Sequence, residues 1–180
     1  MMSTITCDDR KFVKYISETE IDAAIEKVAA AVNAEYKNDI PTLLFVLNGS
    51  VIFGADLMKR LDIQCKMSCV RVSSYVGTQS TEVVRNVVGL SGDLEGQRVL
   101  VIEDIIDTGN TYAYINQILK EAKVKDVKIA TLTYKPDSYR HSLPIDFVGL
   151  EIPDKFILGR GMDYNGLGRN LRDIYQVVDE

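Results

Sequence analysis

Apolar positions recur along this chain in two rhythms, and the changes between them mark out its elements. Ile21, Ala24, Ile25, Val28 and Val32 repeat at helical spacing and predict one helix running to about Lys37. Ser17-Glu18-Thr19-Glu20 supplies a capping-box start, and Asn38-Asp39-Ile40-Pro41 a stop. Before it, Phe12 to Ser17 reads as a short strand. After it, Thr42 to Leu47 (TLLFVL) is continuously apolar, as a strand buried on both faces should be. Asn48-Gly49-Ser50 then leads into a second helix with Phe53, Leu57, Met58 and Leu61 as core candidates. Gln64 to Tyr75 alternates as a third strand. The small polar residues Gly77 to Glu82 predict a mobile loop from Ser73 to about Val83, with a strand returning over Arg85 to Leu90.

A turn over Gly92 to Gly96 leads into the most informative stretch, VLVIEDIIDTGNT, from Val99 to Thr111. Here an apolar strand is expected to stop on two adjacent acids, Glu103 and Asp104. The loop Asp107-Thr108-Gly109-Asn110-Thr111 opens a helix with Tyr114, Ile115, Ile118, Leu119 and Ala122 on its apolar face. Val127 to Tyr134 is the next strand, ending at Lys135-Pro136. Phe147 to Glu151 and Phe156 to Leu158 are short strands separated by Pro153, and the tail reads as loop before one last short element. Strands alternating with helices predict an α/β fold with a mainly parallel, twisted sheet flanked by helices. Such sheets bind ligands beyond the carboxyl ends of their strands. Asn48-Gly49, the Glu103 to Thr111 stretch and Lys135 all fall there, so one shared site is expected.

Composition narrows the class. Of 180 residues, 46% are hydrophobic and 26% charged, ordinary for one soluble domain. A net charge of −5 argues against nucleic acid or an anionic membrane as the main partner. No apolar run approaches the roughly 20 residues that span a bilayer. The opening MMSTITCDDRKF has no apolar signal core, so a cytoplasmic protein is expected. Cys65 and Cys69, on one strand, would stand ~13 Å apart, too far for a disulfide. Reduced, buried thiols are expected, and the one histidine, His141, offers no zinc pattern.

The chemistry of the central stretch follows from its residue types. Gly109 permits a tight turn, and amides at the start of the following helix can point at one phosphate, with Thr108 and Thr111 adding hydroxyls. Neither GxxxxGK[ST] nor GxGxxG is present, so the loop suits a single monophosphate and neither a triphosphate nor a dinucleotide. Glu103 and Asp104 can accept hydrogen bonds from vicinal sugar hydroxyls or hold magnesium, directly or through water.

VLVIEDIIDTGNT resembles the phosphoribosyl-pyrophosphate motif of type I phosphoribosyltransferases. Leu47-Asn48-Gly49-Ser50, Ser74-Tyr75, Thr133-Tyr134-Lys135-Pro136, Glu151 to Phe156, Gly161 to Asn165 and Arg169-Asn170-Leu171 follow in the order seen in hypoxanthine-guanine phosphoribosyltransferases. The resemblance covers nearly everything from Leu43 onward. It implies one domain over residues 1–180, with a core at about 40–150 and a small hood made by about 1–20 and 151–180.

It also implies roles. Asp107 to Thr111 hold the 5′-phosphate, while Glu103 and Asp104 meet the ribose hydroxyls. Asp107 is the proton acceptor for the imidazole nitrogen of a purine. Lys135 donates to the 6-oxo group, which separates oxopurines from adenine. Phe156 stacks on the base, and backbone groups of Ile157 and Asp163 read its edge. Leu47, Asn48, Gly49 and Arg169 receive pyrophosphate, and Ser74-Tyr75 begin a loop that closes over the ribose. Magnesium is the implied cofactor, with Glu103, Asp104 and Asp163 as its residues, and a homodimer or homotetramer the implied assembly. Two features depart from the pattern. Asn48 stands where many relatives have lysine, which a loop acting through backbone amides, with a cis Leu47-Asn48 peptide, would tolerate. The glycine-rich Asn165 to Arg169 segment leaves Arg169 less firmly placed. A phosphoribosyl-pyrophosphate-sensing regulator is the other class of reading, disfavoured by the acidic balance. Lys135 with Phe156 disfavours a pyrimidine substrate, but the residues do not separate xanthine from hypoxanthine and guanine.

Overall fold

A computed structural model describes residues 3–76, 83–88 and 94–178. Its main sheet has strands β3 (Thr42–Leu47), β4 (Lys66–Val76), β5 (Val83–Val88), β6 (Arg98–Ile106), β7 (Asp126–Tyr134) and β8 (Phe147–Glu151), in the order β5-β4-β3-β6-β7-β8. All neighbours are parallel except β4 and β5, so five strands form a parallel sheet with one antiparallel edge. A second sheet joins both ends of the chain. It has β1 (Thr4–Cys7), β2 (Arg10–Ile16), β9 (Ile157–Leu158) and β10 (Ile174–Val177), in the order β1-β2-β10-β9.

The apolar runs place the layers. On β3, Leu43 and Phe45 point to one face and Leu44 and Val46 to the other, as the two-residue period requires. The first face is covered by α1 (Glu18–Glu35) and α2 (Ser50–Met58). The second is covered by α3 (Asn110–Glu121) through Tyr112, Ile115 and Leu119. Ile21, Ala24, Ile25, Val28 and Val32 are all buried, so the helical periodicity identified the packed face of α1 correctly. The capping box is present: Glu20 N–H donates to Ser17 Oγ, and Ser17 N–H donates to Glu20 Oε2.

Several expectations change. Thr4–Cys7 pairs with Arg10–Ile16 as a hairpin, an element the short Thr-Ile-Thr-Cys alternation was too brief to announce. β6 does not stop on its acids: Glu103 and Asp104 lie within the strand, because β6 keeps pairing with β7 as far as Ile106↔Tyr134. The residues from Ser73 to Val76 are not loop but the end of β4, since pairing with β5 continues to Val76↔Val83. The returning strand is Val83–Val88, and residues 77–82 and 89–93, with most of the expected loop, lie outside the described residues. All three cysteines are free, but only Cys7 is buried: Cys65, which precedes β4 instead of sharing it with Cys69, and Cys69 itself are half-buried. No helix among the described residues is long and apolar enough to cross a membrane.

Candidate active site

The carboxyl ends of β3, β6 and β7 converge on one depression, and short backbone links fix their heights. Thr133 Oγ1 donates to the Asp104 carbonyl at 3.0 Å, and Lys135 N–H to the Ile106 carbonyl at 2.9 Å. These bonds set Lys135, just past β7, facing Asp107, just past β6. The Lys135 ammonium lies 2.7 Å from Asp107 Oδ2 and 3.2 Å from Asp154 Oδ1, although Lys135 itself is buried. Buried lysines are rare unless paired, and here two carboxylates hold one charge in place. The lysine's hydrogen bond holds the exposed Asp154 carboxyl below the ordinary range.

One cavity, of about 340 Å³, is lined by Leu47, Asn48 and Gly49, by Glu103 to Tyr112, and by Arg169. A second, of about 200 Å³, is lined by Lys135, Phe156, Ile157, Met162 and Asp163 and shares Asp104, Ile105 and Asp107 with the first. Every residue expected at the site from sequence therefore lines one of two adjoining spaces, apart from Ser74 and Tyr75, whose side chains lie outside the described residues.

In the larger space, Gly109 takes a left-handed conformation with φ 80° and caps α3, whose first turn lines the cavity. Sequence reading missed what stands behind this loop. The Tyr139 ring occupies the direction a Gly109 side chain would take, Arg140 N–H donates to the Thr108 carbonyl at 3.2 Å, and a His141 ring nitrogen lies 2.8 Å from Asn110 Oδ1. Alternating aromatic and basic residues were the signal available, but nothing local tied them to residues thirty positions away.

The Leu47-Asn48 peptide is cis. Gly49 lies against the Asp104 carboxylate on one side, and its carbonyl lies against Gly161 on the other, each contact too close for a side chain. Burial dominates the acids. It pushes Asp104 up to about 6, against the lowering effect of nearby backbone N–H groups and of Arg169; the neighbouring Asp163 raises it further. Burial and the adjacent Asp104 push Glu103 well above the ordinary carboxylate range. Arg169 is firmly placed after all, ion-paired to Asp163 at 2.6 Å and donating to the Gly161 carbonyl at 2.6 Å. The glycines around it allow that compact fold, with Gly166 N–H donating to Asp163 Oδ2 at 2.7 Å.

In the smaller space Phe156 is 42% exposed, unusual for so large an apolar side chain. Its ring meets Tyr164 edge-on at 5.8 Å and tilts against buried Phe12 at 6.3 Å, which leaves the rest of its surface open.

The chain matches the family model of the phosphoribosyl transferase domain over residues 17–165. It is 40% identical over 157 residues to the hypoxanthine-guanine phosphoribosyltransferase of Bacillus subtilis, covering 87% of each chain. It is 38% identical over 166 residues to the enzyme of that name from Streptococcus pneumoniae, covering 92% of each. Among solved structures, a hypoxanthine phosphoribosyltransferase from Staphylococcus aureus superposes with a TM-score of 0.81 at 32% identity, covering 92% of this chain and 90% of that one. By that family match and by its identity to these relatives, the chain belongs to the phosphoribosyltransferase family, in its hypoxanthine-guanine branch.

Proposed function

We propose that this protein is a purine-salvage enzyme that transfers the phosphoribosyl group of 5-phosphoribosyl 1-pyrophosphate to hypoxanthine or guanine, giving IMP or GMP and pyrophosphate. The single observation that carries this reading is the meeting of two unlike spaces at Asp107, an acid-and-amide cavity for a sugar phosphate and a flat aromatic slot beside a buried lysine. Family membership supports it.

The 5′-phosphate sits on the Asp107 to Thr111 loop at the α3 N-terminus, where amides and the helix dipole favour negative charge. Ribose hydroxyls donate to Asp104 and Glu103; both acids accept such bonds in the ionised state. Phe156 stacks on the purine, and the backbone of Ile157 and Asp163 borders its edge. Lys135 turns its ammonium from the carboxylates toward the 6-oxo oxygen, a bond that adenine's amino group cannot accept. Asp107, half-exposed and shared by both spaces, takes the imidazole proton as that nitrogen bonds to the anomeric carbon. Leu47 to Gly49 and Arg169 receive the departing pyrophosphate.

Magnesium fits this donor set. The described residues hold no cluster of three or more metal-ligating side chains, but Asp104 and Asp163 lie close enough to raise Asp104's proton affinity. One or two carboxylates with substrate oxygens and water is how magnesium is commonly held. Asp104 and Asp163, with Glu103 beside them, are the residues that would hold it. When bound, the ion offsets charge on the leaving pyrophosphate.

The free thiols are consistent with a reducing, cytoplasmic location. We read the four-stranded sheet as the hood over the base and the assembly as a homodimer or homotetramer. The deciding experiment supplies phosphoribosyl pyrophosphate and magnesium with hypoxanthine, guanine, xanthine or adenine. Nucleotide from hypoxanthine and guanine and none from adenine is expected; a clear preference for xanthine, or no product, would overturn the assignment.

A further inference from the structure

We propose that Arg160 is a positioning residue for the pyrophosphate side of the site, acting through Gly161 and α2. The inference rests on the phosphoribosyl-transfer reading above. Arg160 is the one arginine among the described residues that is buried, at 8% exposure. Its Nη2 lies 2.8 Å from Asp22 Oδ1 on α1 and its Nη1 lies 3.2 Å from Asp56 Oδ2 on α2. The next residue, Gly161, packs on the Gly49 carbonyl immediately before α2 begins. The turn from Gly159 to Met162 is thus attached to α2 twice, at its amino end by backbone contact and farther along by the ion pair. That double attachment fixes where Gly161 stands against the pyrophosphate loop. Gly161 in turn fixes Arg169, since Gly161 N–H donates to the Arg169 carbonyl at 3.0 Å and its own carbonyl accepts from Arg169 Nη1.

Two observations say that the arginine is there for the turn and not for the acids. Asp22 also faces Arg60 at 3.5 Å, and Asp56 pairs with Lys59 at 2.7 Å, so both carboxylates have other cations. The backbone at Arg160 is left-handed, with φ 51°, between Gly159 at 110° and Gly161 at 107°. Glycine adopts that conformation more readily than arginine does, so local backbone preference would place glycine here. A long cationic side chain stands in this position against local preference, and its guanidinium is ion-paired to both helices.

The same backbone preference supplies a clean test. Arg160→Gly keeps the turn's conformation and removes its anchor. KM for phosphoribosyl pyrophosphate and the inhibition constant of pyrophosphate should each rise about tenfold. The kcat should stay within threefold, and the melting temperature should fall by about 5–10 °C, the size of one lost buried ion pair, leaving the protein folded under assay conditions. Arg160→Lys, which can reach one carboxylate, should recover part of the KM. Asp56→Asn should raise the same KM alone and add little in the Arg160→Gly background, as expected of two groups in one interaction. An unchanged KM in Arg160→Gly, additive effects in the double variant, or losses in kcat and both KM values that track a falling melting temperature would each overturn the proposal. Failure of the unaltered protein to make nucleotide would instead overturn the functional reading.

Discussion

The Lys135 ammonium bridges the Asp107 and Asp154 carboxylates at 2.7 and 3.2 Å, so the group expected to recognise the base is held by the group expected to deprotonate it. The lysine must leave this pair, or share it, when an oxopurine arrives. Lys135→Ala should therefore raise KM for hypoxanthine and guanine about 10- to 100-fold, the range for losing a hydrogen bond to a charged group. Its stability should change little, because the Asp107 and Asp154 side chains are 45% and 66% exposed and stay hydrated when freed. Unchanged oxopurine KM values would remove Lys135 from the base site.

Asp107→Asn keeps the shape of the loop but cannot take a proton. Turnover should drop about 100-fold or more, in the range for loss of a general base, with the melting temperature preserved. Steady-state rates near those of the unaltered protein would sink the assignment.

Stability should fall with rising pH through the range set by Asp104. Its folded value, pushed up to about 6 from 3.8, means the folded chain binds that proton more tightly than the unfolded chain. The Asp104 contribution is then fully present below the unfolded value and is lost as pH rises through 6, while Glu103, raised well above the ordinary carboxylate range, shifts in the same direction and extends the decline to higher pH. The Asp104 contribution is at most about 3 kcal/mol. Asp104→Asn should melt higher than the unaltered protein at pH 7, converge with it near pH 4, and lose activity. Identical pH slopes in the two proteins would show that Asp104 is not the group responsible. Magnesium with phosphoribosyl pyrophosphate should raise the melting temperature of the unaltered protein and much less that of Asp104→Asn.

Phe156→Leu should weaken base binding about 3- to 10-fold, the size of an aromatic contribution beyond burial. KM for phosphoribosyl pyrophosphate should not move, since Phe156 borders only the smaller space. Equal effects on both substrates would mean that the ring supports the hood instead of the purine.

At the opposite end of β6, Arg98 pairs with Glu35, Asp39 and Asp126 and lies over the Tyr36 ring at 4.5 Å. Arg98→Ala should cost about 1–3 kcal/mol, since Arg98 is mostly covered but its three carboxylate partners are partly exposed and stay hydrated when freed, and leave both KM values unchanged. A change in KM without a change in stability would contradict a purely structural role.

Local sequence determined the parts of this protein whose physics is local. A helical or continuous apolar rhythm shows which residues a segment must bury, and so α1, β3 and the order of strands and helices could be read directly. The strand-to-helix turn at Asp107 to Thr111 was legible for the same reason, as glycine, hydroxyls and a helix start are all contiguous. Tertiary structure decided what depends on pairing with distant backbone. The hairpin β1–β2, the extension of β6 through its two acids and the passage of Ser73 to Val76 into β4 all follow from a neighbouring strand's hydrogen bonds. It also decided burial, and with it the raised proton affinity of Glu103 and Asp104, which no residue type carries by itself. Arg160 and the Tyr139 to His141 segment gained their roles only through folding. Their partners lie from about thirty to 138 positions away, and such contacts leave no periodic trace in a sequence.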